Sequence, residues 1–265
     1  MKMLKYSLFL LAPLGQLSAA VHTFDGLTSD SALTTAEAGW TLSEANTANA
    51  PLAYVGPLVA GSITGGLGGE FADPAVNSTS VKLTMASSLT SSYASVGFDM
   101  LIKDSTNEVP ARDAFGFSVA NGSGATIVQL KFLPVAQSLN PEAGVAAQWQ
   151  LAYSVGGGAT TFTDVAFTES ALYFVSLSFA VNGLTLTVGN TVDSDTFNAT
   201  IPGFDGGVNG IGNLAFNWDK SSPTAAFGDN SILFDNISVA AVPEPSALLM
   251  SGVASIALLG RRRRK

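Results

Sequence analysis

The sequence predicts an all-β body, a two-sheet antiparallel β-sandwich, with an apolar segment at each end of the chain. Three observations predict it. Short stretches alternate apolar and polar residues with a period of two, as half-buried strands do. Val81, Leu83 and Met85 alternate with Lys82 and Thr84; Tyr173, Val175, Leu177 and Phe179 with Ser176 and Ser178; Leu184, Leu186 and Val188 with Thr185 and Thr187. Turn-forming clusters separate these stretches, and none of them holds a helical period with a charged face.

In chain order, the first residues have the layout of an export leader. Lys2 and Lys5 precede an apolar run from Tyr6 to Leu14 and the small residues Ser18, Ala19 and Ala20. Residues 1–20 are therefore expected to be a signal peptide, with the mature chain starting at Val21. Strands are expected near 21–27, 52–59, 81–85, 93–102, 114–120, 125–133, 146–154, 160–167, 173–179, 184–188, 211–217 and 231–239. Asn182-Gly183 predicts a tight hairpin between two of them. A short helix is expected around 31–38, ahead of Trp40. Loops are expected at Gly61 to Gly69, after Asn121, after Asn140, at Gly156 to Gly158 and from Pro202 to Gly212. No linker or fixed-period repeat divides 21–241, so this is one domain. About a dozen strands in one domain pack as two sheets, with apolar residues inside and Thr and Ser towards water.

The tail has three parts in sequence. Val242-Pro243-Glu244-Pro245-Ser246 comes first, then an uncharged apolar segment to Gly260, then Arg261, Arg262, Arg263, Arg264 and Lys265. The two prolines cannot sit inside a helix, so a helix starts after Pro245 with Ser246 as its N-cap. Fifteen residues of helix reach roughly 22 Å, against a hydrocarbon core of about 30 Å. That is short for a permanent transmembrane helix, although the flanking arginines can snorkel. The positive-inside rule places the five cations on the cytoplasmic side.

These three parts resemble the PEP-CTERM sorting signal of Gram-negative bacteria. The resemblance implies that Pro243, Glu244 and Pro245 are read, as substrate, by an exosortase-type processing enzyme. It implies an inner-membrane intermediate and then delivery to the cell surface or extracellular matrix. An ordinary single-span anchor that is never cut is the alternative. The resemblance covers residues 242–265 and carries an address, not an activity.

The whole chain has 12 basic and 20 acidic residues. Seven of the basic residues and one acid lie in the two ends, so the body keeps 5 basic and 19 acidic residues, a net charge of −14. Such a surface repels nucleic acid and anionic lipid. The absence of cysteine excludes thiol catalysis, Cys-ligated zinc and disulfides, so an exported domain must rely on its core or on a metal.

Thr23-Phe24-Asp25-Gly26 and the run from Ile232 to Val239 resemble the first and last strands of jelly-roll domains of the concanavalin A-like or carbohydrate-binding type. The resemblance implies that the terminal strands pair and that the scaffold is one that holds sugar. Catalytic signals are thin. His22 is the only histidine and has no motif around it. The closely spaced Glu-x-Asp-x-x-Glu run of jelly-roll glycosidases is missing. No phosphate-binding motif accompanies the glycine-rich loops.

Calcium, which takes six to eight oxygens, is the expected ion. Asp25 and Asp235 on the two terminal strands are its expected ligands, with Asn230 or Asp229 nearby. Asp235 shares an alternating face with Leu233, Ile237 and Val239, where a lone carboxylate needs a partner. The alternative is that Asp235 accepts backbone N–H groups at a bulge. Asp193 and Asp195 read as a solvated loop. Among aromatic residues, Trp218, in a polar stretch, is the expected ligand contact, ahead of Trp149, Tyr54 and Tyr153. The expected whole is a non-enzymatic surface or matrix protein that binds extracellular polysaccharide or contributes bulk structure. The alternative is an exported jelly-roll carbohydrate-active enzyme.

Overall fold

The computed structural model describes residues 19–44, 52–59, 62–68, 80–91, 93–103, 112–135, 148–180, 183–190, 196–201, 210–220 and 230–242. The expected leader up to residue 18, the Asp193/Asp195 pair, Asp229 and the tail from Pro243 lie outside these residues.

The strands run in order as β1 Ala19–His22, β2 Trp40–Leu42, β3 Ala53–Val59, β4 Ser62–Gly68, β5 Ser80–Leu89, β6 Ala94–Lys103, β7 Ala114–Ala120 and β8 Thr126–Pro134. They continue as β9 Gln148–Val155, β10 Thr161–Thr168, β11 Tyr173–Ala180, β12 Gly183–Asn190, β13 Thr196–Ile201, β14 Ile211–Asp219 and β15 Ser231–Ala241. One helical turn, α1 Leu33–Ala36, precedes β2. Among the described residues these strands form two antiparallel sheets. One has the order β13-β12-β11-β6-β15-β4-β3, with β1 added on β15 to make eight strands; the other has the order β10-β9-β8-β7-β14-β5-β2.

The alternation seen in the sequence is what closes the two sheets on each other. Val81, Leu83 and Met85 of β5 point inward, as do Val175, Leu177 and Phe179 of β11. The centre is aromatic. Phe98 and Phe234 come from the eight-stranded sheet, Phe117 and Phe216 from the other. Phe216 and Phe234 stack with centroids 3.9 Å apart and planes 8° off parallel. Phe98 lies 4.3 Å from Phe117 and 5.4 Å from Phe216. Phe24 and Trp40 extend the cluster on the far side of Phe234. Each such pair contributes about 0.5–1.5 kcal/mol beyond the area it buries.

One expectation changes here, and one strand is added. Within the loop expected at Gly61 to Gly69, Ser62–Gly68 is β4, paired with both β3 and β15. Its glycines make room for rings. A Cβ on Gly65 would collide with the Phe234 and Phe24 rings, and one on Gly66 with the Tyr54 ring. Thr196–Ile201 is also a strand. The terminal strands do pair, Ala19 to Ala240 through His22 to Ile237, so Ala19 and Ala20 belong to the sheet.

Strand β15 is the hinge of the architecture. Along one edge it pairs with β6 at residues 231–235 and 238–241. Along the other edge it pairs with β4 at residues 231–234 and with β1 at residues 237–240. Residues 90–93 carry the chain from β5 in one sheet to β6 in the other, so the ends of β5 and β15 and the start of β6 lie at one end of the sandwich. The Val242 N–H donates to the Tyr93 carbonyl there at 3.0 Å, and the tail leaves from that point. Among the described residues no helix is long and apolar enough to cross a membrane.

The aromatic centre predicts a specific loss. Phe216→Ala removes a ring with contacts to three others, and unfolding in denaturant should show a loss of about 3–5 kcal/mol. A loss below 1 kcal/mol would mean the inter-sheet stack is not what holds the sheets together.

Candidate functional site

The two aspartates singled out in the sequence meet at the point where the partner of β15 changes from β4 to β1. A strand that changes partner leaves backbone N–H groups without a ladder, and buried N–H groups must be paired. Asp25 accepts the N–H of Ile63 at 3.2 Å. Asp235 accepts the N–H groups of Asn236 and Phe24. The register slips between Asp235 and Ser238, and Asn236 takes a left-handed φ of 51°, which is the geometry of a bulge. Asn236 then donates through Nδ2 to Asp99 Oδ2 at 2.7 Å.

The bulge corrects the face assigned to Asp235. Ile237 and Val239 join Ile232 and Phe234 in the core between the sheets, whereas Leu233 packs with Tyr54 and Leu101 in a separate cluster. Asp235 lies opposite Asp99, away from the core. It is nevertheless 5% exposed, and its Oδ1 has no hydrogen-bond partner. Burial pushes its carboxyl above the ordinary value; Asp25 and Asp99 add to that, and the two N–H groups oppose it.

The structure thus brings Asp25 and Asp235 to one seam but engages both as acceptors for backbone N–H groups. Among the described residues no three Asp, Glu or His side chains stand close enough to hold a metal ion. Asn230 does not join them. It begins five residues earlier on an extended strand, about 17 Å away, where its own side chain and the Ser231 hydroxyl are buried without partners. The donor set fits calcium poorly: most of the six to eight oxygens would have to be carbonyls.

Trp218 is not a surface ring. It is 1% exposed, and its Nε1 donates to Asp113 Oδ2 at 2.7 Å. Trp149, equally buried, donates to the Asp113 carbonyl at 3.0 Å. One aspartate at the start of β7 therefore satisfies both indoles, with the Lys220 ammonium 5.2 Å above the Trp218 ring. Burial lowers the pKa of Lys220, and Asp113 and Glu44 hold it up. The polar residues around Trp218 in the sequence are outward neighbours on an alternating strand. Tyr54 is also buried. His22 sits near Glu37 at 3.5 Å.

The outer face of the seven-stranded sheet carries rows of small and polar residues. One row crosses six strands: Lys82, Asn217, Gly116, Lys131, Ala152 and Phe162. The next row holds Thr41, Thr84, Ala215, Ser118, Gln129 and Ser154. Lys131 donates to Thr160 at 3.0 Å, and Gln150 to the Thr163 carbonyl at 2.9 Å. Small residues form the floor; amides, hydroxyls and two ammonium groups stand over it. Phe162, 60% exposed, is the surface ring that attention to Trp and Tyr missed. Its signal was its place between Thr161 and Thr163.

Residues 241–265 match the PEP-CTERM protein-sorting motif. No curated protein matches the chain by sequence. Among solved structures, the basic lectin of winged bean, crystallised with Tn-antigen, superposes with a TM-score of 0.52 at 11% identity, over 85% of this chain and 99% of the lectin. Lectin I of Ulex europaeus, in complex with the methyl glycoside of α-L-fucose, gives 0.52 at 9% identity, over 84% and 97%. The CBM2 module of the evolved Dit of Lactobacillus casei BL23 phage J-1 gives 0.50 at 12% identity, over 86% and 98%. These likenesses establish the fold, a lectin-like jelly roll.

The seam gives a test with a sign. A carboxyl raised above its unfolded value binds its proton more tightly when folded. Its contribution to stability is present at low pH and is lost as pH rises through the folded value. Asp235→Asn keeps an acceptor and removes the charge, so its Tm should exceed that of the wild type at neutral pH, and the gap should narrow towards the ordinary carboxylate range. Asp235→Ala leaves two N–H groups unpaired and should cost about 1–3 kcal/mol. Structural calcium would reverse the order of wild type and Asp235→Asn at neutral pH, and chelation would restore it.

Proposed function

We propose that this chain is a non-enzymatic exported protein, delivered to the cell surface or extracellular matrix by an exosortase-type system, whose sandwich binds polysaccharide. The sorting motif at residues 241–265 carries the address. The lectin-like fold and the amide- and hydroxyl-rich face of the seven-stranded sheet support the binding role.

The physical case for that face is one of complementarity. Sugar hydroxyls both donate and accept hydrogen bonds, as Asn217, Gln129, Thr41 and Thr84 do. The apolar side of a pyranose stacks on an exposed ring, and Phe162 offers one. Lys82 and Lys131 are two of only five basic residues in a strongly acidic body. They give this face a preference for polysaccharides that bear carboxylates.

Two measurements check the proposal. Mass spectrometry of surface material should find the C-terminus upstream of Arg261; intact Arg261 to Lys265 there defeats the sorting role. On a glycan array, binding without sugar release is expected. Phe162→Ala should weaken binding roughly 2- to 10-fold, as the loss of about 0.5–1.5 kcal/mol implies. Polysaccharide cleavage, or binding indifferent to Phe162 and Lys131, would overturn it.

A further inference from the structure

Strand β1 carries the bond that export is expected to cut. The small residues Ser18, Ala19 and Ala20 place that bond between Ala20 and Val21. In the folded body the same stretch is a strand. Ala19 lies opposite Ala240, Ala20 opposite Val239 and Val21 opposite Ser238.

Which backbone groups are engaged follows from alternation. In an antiparallel ladder each residue turns both its N–H and its C=O to one side, and the next residue turns them to the other. The Val242 N–H donates to the Tyr93 carbonyl, on the side of β6. Ala240 and Ser238 therefore face β6 as well, and Val239 faces β1. Ala20 and Val239 thus exchange two hydrogen bonds, one of them from the Val239 N–H to the Ala20 carbonyl. That carbonyl belongs to the scissile bond. An enzyme that cleaves a peptide must take the carbonyl oxygen into donors of its own. Here the oxygen is turned towards β15 and already held.

Timing then decides the outcome. Val239 follows Ala20 by 219 positions, the difference of the two residue numbers. At about 5–20 residues per second it is synthesised roughly 10–45 s later. Throughout that interval the Ala20 carbonyl has no partner on β15.

We propose that docking of β15 closes the leader cleavage site, so that proteolysis of the leader must come before the strand that carries the sorting motif is in place. A chain that folds first keeps its leader. A chain cut in time loses Ala19 and Ala20, which leaves Val239 on an open strand edge just upstream of that motif. The inference rests on the reading of residues 1–20 as an export leader.

The test uses the full chain, made without export and refolded with its leader attached, and a purified leader peptidase in mild detergent. Mass spectrometry reads the cut after Ala20. Each rate is divided by that for a peptide of residues 1–25 under the same conditions. The folded chain is expected to be cut at least about tenfold more slowly than the same chain held unfolded in urea. Phe216→Ala should speed the cut in proportion to the population it opens. Val239→Pro removes the N–H that faces Ala20 and spares the donors of the β6 ladder, so it should bring the folded chain to within a few-fold of the unfolded one. Because proline also disturbs folding, deuterium exchange of the unaltered chain gives a second readout. The Ala20 amide should exchange at least about tenfold more slowly than the Val21 amide, which faces away from β15. A folded chain cut as fast as the unfolded one, resistance that Val239→Pro leaves intact, or equal exchange at Ala20 and Val21 overturns the proposal. Absence of a cut after Ala20 even in the peptide and the unfolded chain overturns the leader reading instead, and the proposal with it.

Discussion

The contact between Phe216 and Phe234 is the one on which the molecule depends. A chain without cysteine must join its two sheets through side chains, and these two rings, one from each sheet, meet face to face at 3.9 Å. Much else follows from fitting them in. β4 is glycine-rich because Phe234 and Phe24 occupy the space a Cβ would take. Phe98, Phe117 and Trp40 pack around the pair. The eight-stranded sheet also buries a small cluster of Tyr54, Leu101 and Leu233 on its outer side, whereas the outer face of the seven-stranded sheet is lined with amides and hydroxyls.

The second constraint is the seam in β15. Where one edge of a strand is shared between β4 and β1, the ladder is interrupted, and side chains must complete it. Asp25 and Asp235 do so. The cost is a buried carboxylate with two others nearby and one oxygen unpaired. Asp113 answers a similar need for the two indoles of Trp149 and Trp218. In both places an acid that looks functional in isolation satisfies buried donors.

Most strands were legible because their inward residues alternate cleanly, as in β5, β7, β11 and β12. The tail was legible because prolines, apolar run and cations each have a physical meaning independent of the fold. What was hidden depended on partners far away in sequence. Gly65 and Gly66 read as a loop because the rings that need their space lie at positions 24, 54 and 234. The bulge at Asn236 turns Ile237 and Val239 to the core while Asp235 stays on the other side, and an unbroken alternation cannot show that slip. Trp218 stands among polar neighbours that face the opposite way. The surface ring, Phe162, lies in an edge strand whose pattern is irregular.

The tail leaves directly from a strand that is paired on both sides. Tension on it therefore runs along the axis of β15 and loads its ladders to β6 and β1 in shear. Hydrogen bonds loaded that way share the force and fail together, whereas those of a peeling edge strand fail singly. A body tethered by this end is mechanically suited to a place where it is pulled.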